Sequence, residues 1–275
     1  MIDPVELTFL YGTAWKEDQT RRLVTAALRA GFRGIDTANQ RKHYHEAAVG
    51  EAVADFIRAG HATRDALFLQ TKFTFLDGQD QRLPYDPKAS VGAQVHQSFE
   101  SSLEHLQTSW IDSLVLHGPS RRFGLGPADW EAWSAMEALA SGGRVKVLGI
   151  SNVTLAQLEG LVEKAKILPT FVQNRCYATR AWDRDVRLFC RARKIRYQGF
   201  SLLTANPQVV NSERVAGIAA RLGRTPQQVI YRFALQAGML PLTGTTDPGH
   251  LIEALEVTGF ELETRDLREI EALDA

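Results

Sequence analysis

The feature that most limits the fold is an alternation running the length of the chain. A short β-rich run, a polar turn and a stretch with apolar residues three or four apart recur eight times. The strand candidates are LTFLYGT, RGIDTA, LFLQTKF, IDSLVLH, VKVLGIS, TFVQNRC, IRYQGFS and MLPLTGT. Helical stripes follow them, such as Leu23, Val24, Ala27 and Leu28, then Val49, Val53, Phe56 and Ile57, then Val91, Val95, Phe99 and Leu103. A later one is Leu155, Leu158, Leu161 and Val162. Gly31 and Gly60 stand where helices should stop. Thr225-Pro226-Gln227-Gln228 reads as a capping box with proline in the first helical position. Strands alternating with helices predict a parallel sheet covered by helices. Eight units without a linker or low-complexity break predict closure into an α/β (β/α)8 TIM barrel, a single domain over residues 1–275. A doubly wound sheet is the alternative, and it lacks a GxGxxG after the first strand; FGLGPAD around Gly124 and Gly126 has the wrong spacing.

Charge narrows the partners. Lys plus Arg and Asp plus Glu number 32 each, with no basic run, so the electrostatic footprint of nucleic-acid or anionic-membrane binding is missing. The apolar runs are strand-sized, far below the roughly 20 residues that span a bilayer. MIDPVELTFLYGT lacks the basic stretch and apolar core of a secretory signal. Cys176 and Cys190 have neither metal-ligand spacing nor a disulfide framework, which predicts two packing residues in a reducing, cytoplasmic setting. Small molecules are the expected partners.

In a barrel of this kind chemistry sits at the carboxyl ends of the strands. Asp36, Lys72 and His117 close the second, third and fourth candidates. Ser151 and Asn152 follow the fifth, Gln173 and Asn174 close the sixth, Ser201 the seventh, and Thr245 and Thr246 the eighth. A lysine and an aspartate on neighbouring strands should pair, because a charge at a part-buried mouth is costly alone. A cation within about 4–6 Å of a phenol stabilises phenolate, lowers the phenol pKa and improves it as a proton donor to a carbonyl oxygen. Tyr44, eight residues after Asp36 on the loop leaving the second strand, can supply that phenol. His117 would orient and polarise the oxygen. The set transfers protons but holds no reductant, so a hydride donor has to be bound. An aldolase-like use of Lys72 as a Schiff-base lysine is a competing reading.

GFRGIDTA, YHEAAVG, QTK, VLHGP, AMEALASGGRVKVLGISN, FVQN and PLTGTT, in this order, resemble the aldo-keto reductases over nearly the whole chain, from YGTAW onward. The resemblance makes Tyr44 the proton donor, Lys72 and Asp36 its tuning pair, and His117 the substrate-orienting residue. It implies a nicotinamide cofactor lying across the mouth, with Ser151, Asn152 and Gln173 at the carboxamide and Phe200, where tyrosine is more usual, against the ring. Gly12, Thr13, Asp36, Ser201, Leu203, Gly244, Thr245, Thr246, His250 and Glu253 complete the implied cofactor set. It also admits a second function, since some relatives of this fold serve as cofactor-binding regulatory subunits.

Three departures modify that expectation. The spacing from Asp36 to Tyr44 is longer than is usual in the family, and His43 and His45 flank the tyrosine; an HxH metal site is rejected because no further ligand cluster accompanies them. Where the family often places a lysine and an arginine on the adenosine 2′-phosphate, this chain has Gly244 and His250, so NADPH is the expected cofactor with a weakened clamp and NADH the alternative. Gly118 and Thr74 stand where aromatic residues often wall the substrate pocket. A wider pocket is expected, walled by Trp15, Phe73 and the loop from Leu76 to Tyr85, while Trp130 and Trp133 read as packing residues.

Overall fold

The structure is a computed structural model that describes residues 7–273. Its strands are β1 (Leu10–Gly12), β2 (Gly34–Asp36), β3 (Phe68–Phe73), β4 (Ile111–Leu116), β5 (Val145–Ser151), β6 (Phe171–Arg175), β7 (Arg196–Phe200) and β8 (Met239–Thr243). Each pairs in parallel with the next, and β1 pairs with β8, so the sheet closes as a barrel of eight. All eight strand candidates are present, in order. The outer layer comprises α1 (Thr20–Ala30), α2 (Glu46–Arg58), α3 (Val91–Leu106), α4 (Pro127–Ser141), α5 (Leu155–Lys164) and α6 (Arg184–Ala192). It continues with α7 (Pro207–Val210), α8 (Glu213–Leu222), α9 (Pro226–Gln236), α10 (Pro248–Glu256) and α11 (Thr264–Glu271).

The helix boundaries follow local chemistry. Gly31 ends α1 at φ 118°, a conformation that glycine adopts without steric cost. Thr225 caps α9 by accepting from the Gln228 amide, with Pro226 in the first turn. Gly50 allows α2 to cross α3 closely: a Cβ there would lie 1.9 Å from the His105 carbonyl oxygen and 2.7 Å from Leu106 Cα.

Residues alternate between the barrel interior and the helix layer, as the two-residue period of a strand requires. Leu10, Phe68, Phe171 and Leu240 form the apolar floor, with Phe68 and Phe171 edge-to-face at 5.7 Å. Gly34 leaves room for that floor, since a Cβ would stand 2.5 Å from Leu10 Cδ2. Two residues further along, the interior turns polar: Gln70 follows Phe68, Asp36 follows Gly34, and Gln173 follows Phe171. The same period corrects one expectation. Phe73 follows the inward-facing Lys72 and therefore points to the helices, 1% exposed, packed on Phe75 and Tyr85 at 5.3 and 5.7 Å between ring centres. It walls no part of the mouth. Tyr85, in the loop expected as a wall, is buried with it, and its hydroxyl donates to the Thr74 carbonyl at 2.8 Å. Trp133 is buried as expected and donates to the Ile167 carbonyl at 3.3 Å.

Candidate active site

At the carboxyl end of the barrel lies a cavity of about 650 Å³, and Asp36, Tyr44 and His117 all line it. Lys72 sits beneath, its side chain fully buried. The Lys72 ammonium donates to Asp36 Oδ1 and Oδ2, both at 2.7 Å, and to the Thr37 carbonyl at 2.9 Å. Burial works against the ammonium, but the Asp36 carboxylate and the Tyr44 phenol outweigh it and Lys72 is raised above its ordinary pKa.

The long loop after β2 delivers the phenol because a turn folds it back. The amides of His43 and Tyr44 both donate to the Gln40 carbonyl, at 3.1 and 3.0 Å. The turn is pinned from outside. Trp15 donates its amide to the His43 carbonyl at 2.7 Å and stacks on the His43 ring at 3.8 Å, while Gln40 Nε2 donates to the Gly78 carbonyl at 2.6 Å. Lys72 Nζ then lies 5.2 Å from the centre of the Tyr44 ring, and the Tyr44 and His117 rings meet edge-to-face at 6.0 Å. The added length is taken up in the turn, so the phenol still reaches the ammonium.

One electrostatic expectation changes sign. Burial raises the Tyr44 pKa, Lys72 lowers it by charge and hydrogen bonding, Asp36 raises it again, and the balance stands above the usual tyrosine value. The physical reason is that a half-open, low-dielectric mouth disfavours phenolate more than one already paired ammonium favours it. The phenol therefore keeps its proton at neutral pH, the state a donor needs. His117 is driven down from 6.5 to about 3, by burial first and then by Lys72 and His43, and is neutral. Its Nδ1 lies 2.7 Å from Thr74 Oγ1.

Beneath the carboxylate is a layer of amides, of which the sequence reading named Gln173 and overlooked Gln70 and Gln198. Gln70 and Gln173 each donate to Asp36 Oδ1, at 2.7 and 3.0 Å, and each donates to Gln198 Oε1, at 2.8 and 2.9 Å; Gln198 Nε2 returns a bond to Gln70 Oε1 at 3.0 Å. This network holds Asp36 in place with donors that favour its charged form. Its signal in the sequence is a polar residue two positions before an inward-facing strand end, as Gln70 precedes Lys72 and Gln198 precedes Phe200.

The other half of the cavity is lined by Gly12, Ser151, Asn152, Phe200, Leu203 and Thr245, and by Ser201, Gly244, His250 and Glu253 on its rim. Ser151 Oγ donates to the Gln173 carbonyl at 2.6 Å and Asn152 Nδ2 to the His117 carbonyl at 2.8 Å, so these side chains are fixed in advance. Asn152 and Ser201 hold left-handed backbone at φ 53° and 57°, conformations that cost about 1–3 kcal/mol each and gather at functional sites. Thr13 is brought to the same end but buried; its hydroxyl donates to the Asp36 carbonyl at 3.0 Å. Thr246 and Gly118 lie outside the cavity lining.

A second overlooked residue is Lys16. Its ammonium donates to the Gly244 carbonyl, and a Cβ built on Gly244 would lie 3.5 Å from Nζ. The amine thus stands in contact with the point from which a side chain at position 244 would extend. No carboxylate pairs with it among the described residues, and burial lowers its pKa, so an anion arriving there would relieve an unbalanced charge. Cys176 and Cys190 are both buried and free. Among the described residues no helix is long and apolar enough to cross a membrane, and no His, Cys, Asp and Glu side chains gather as a metal site.

Comparison with known proteins converges with this geometry. The sequence pattern of the Aldo/keto reductase family matches residues 8–275. Glyoxal reductase of Bacillus subtilis (strain 168) is 28% identical over 251 residues, covering 91% of this chain and 82% of that protein. Deoxymugineic acid synthase 1-B of Triticum aestivum is 32% identical over 276 residues, covering 93% and 82%. The crystal structure of MGS-M4, an aldo-keto reductase from a Medee basin deep-sea metagenome library, superposes with a TM-score of 0.83 at 23% identity, over 100% of this chain and 92% of that one.

Proposed function

The chain belongs to the aldo/keto reductase family, and from that premise we propose that it reduces aldehydes or ketones to alcohols, with a bound nicotinamide cofactor supplying the hydride and Tyr44 the proton. The observation that carries the reading is the convergence of Asp36, Tyr44, Lys72 and His117 on one cavity. Tyr44 donates its hydroxyl proton to the carbonyl oxygen as charge develops there. Lys72, kept cationic by Asp36, stabilises the phenolate left behind. His117 is neutral, so it contributes a hydrogen bond and no net charge.

The residues present fit a dinucleotide. Asn152 and Gln173 have their amide hydrogens committed within the chain, which leaves Asn152 Oδ1 and Gln173 Oε1 as acceptors for a carboxamide. Phe200 offers an aromatic face. Thr245, whose carbonyl is held by the Tyr11 hydroxyl at 3.0 Å, and the cation of Lys16 suit phosphate oxygens. Lys16 restores a positive charge beside Gly244, which favours NADPH over NADH. The Schiff-base reading is disfavoured because the Lys72 amine is engaged by three acceptors and closed to solvent.

The test is NADPH oxidation with an aromatic aldehyde such as 4-nitrobenzaldehyde. Wild type should turn over, and Tyr44→Phe should lose at least about 10²-fold in kcat while retaining NADPH binding by fluorescence. Equal rates for the two proteins would remove Tyr44 from the chemistry, and cofactor binding without turnover of any aldehyde would favour a regulatory subunit.

A further inference from the structure

We propose that Thr74 is a positioning residue that fixes the tautomer of His117, so that the imidazole presents a proton rather than a lone pair to the substrate carbonyl oxygen. The proposal rests on the reductase reading above and deepens it.

The argument is one of hydrogen accounting. Thr74 is buried at 6% exposure, and its hydroxyl makes one hydrogen bond among the described residues, to His117 Nδ1 at 2.7 Å. The imidazole is neutral, so one of its two nitrogens carries a hydrogen and the other a lone pair. If Nδ1 carried the hydrogen, Thr74 Oγ1 would accept it and the hydroxyl hydrogen would be left in the interior without an acceptor. If Nε2 carries it, the Thr74 hydroxyl donates to the Nδ1 lone pair and both groups are satisfied. Buried polar groups take the satisfied arrangement. Nε2 makes no hydrogen bond within the described residues, and His117 lines the cavity beside Tyr44. A carbonyl oxygen placed there meets two donors, Tyr44 O–H and His117 Nε2–H. In the other tautomer one of those donors becomes a lone pair facing lone pairs.

The segment that follows Thr74 acquires a purpose on this reading. The Thr74 carbonyl accepts from the Tyr85 hydroxyl at 2.8 Å and from Gln79 Nε2 at 3.4 Å, which sets the backbone and hence the hydroxyl of Thr74. Gly78 keeps the approach open, since a Cβ there would lie 2.6 Å from Thr74 Cγ2.

The experiment is long-range ¹H–¹⁵N spectroscopy of protein labelled at histidine, with the His117 ring identified by its disappearance in His117→Asn. Wild type should show the Nε2–H tautomer at neutral pH. Thr74→Val keeps the shape and removes the hydroxyl; it should blur that signature towards a mixture and lower kcat by about three- to tenfold, with cofactor KM unchanged. Thr74→Ser should restore both. A wild-type Nδ1–H signature, or a Thr74→Val protein with unaltered tautomer and kcat, would overturn the proposal. Should Thr74→Val fail to fold, Thr74→Ala removes the same hydroxyl and is read in its place, and a wild-type Nδ1–H spectrum overturns the proposal by itself. The spectra are read without substrate, so an absence of turnover counts against the reductase reading, whereas the wrong tautomer counts against this proposal.

Discussion

Replacing Lys72 by methionine isolates the charge that the phenol depends on. Nζ stands 5.2 Å from the centre of the Tyr44 ring. At an effective dielectric of about 20, a unit charge at that range stabilises a phenolate by about 3 kcal/mol, roughly two pKa units. If roughly half of that is felt in the transition state, kcat falls about tenfold from this cause alone. A second effect is added, because Asp36 loses the cation that meets both of its oxygens and is left buried with only Gln70 and Gln173 as donors. Breaking one side of such a pair costs about 3–5 kcal/mol of stability. The double variant Lys72→Met with Asp36→Asn removes the orphaned charge, so it should recover much of the melting temperature and none of the activity. Single-turnover NADPH oxidation with thermal denaturation of the same samples separates the two effects. A single variant that turns over at the wild-type rate, or a double variant that regains activity along with stability, would refute the account.

Other expectations follow from particular contacts. His117 has a folded pKa of about 3 against 6.5 ordinarily, so folding favours its neutral form. That contribution is complete above pH 6.5 and is lost as pH falls towards 3; it amounts to about 2–4 kcal/mol after allowing for the open side of the ring, and His117→Gln should flatten that part of the denaturation profile. Lys16→Ala should weaken NADPH binding about tenfold by fluorescence titration and NADH binding less, an equal loss indicating that the amine reads phosphates common to both. Gly50→Ala raises intrinsic helix propensity yet should destabilise the fold by about 2–3 kcal/mol in urea unfolding, because its Cβ meets the α3 backbone; a stabilised variant would show that α2 and α3 can separate freely.

The barrel was legible because hydrophobic period survives in the sequence: eight strand runs and the stripes between them map onto β1–β8 and their covering helices. The ionisable residues at strand ends were legible for the same reason, since Asp36, Lys72 and His117 end or follow strands that point one way. Phe73 was misplaced as a wall because β3 is buried on both faces, and the sequence does not mark which face a given position takes until Lys72 is known to point inward. Gln70 and Gln198 were hidden by the same ambiguity, their polarity lying mid-strand and not at an end. Lys16 was hidden by distance: the carbonyl it serves is 228 residues away, across the seam where β1 meets β8. Closure, which no local pattern records, creates that neighbour.

The turn between Gln40 and Tyr44 separates two properties that a fixed motif joins. How many residues lie between the carboxylate and the phenol is absorbed by a bend clamped from Trp15 and Gly78, whereas the direction of approach is set by the scaffold around it. A longer segment is therefore compatible with the same approach so long as its clamps are kept, and a search that demands a set interval would pass over chains in which these side chains still converge.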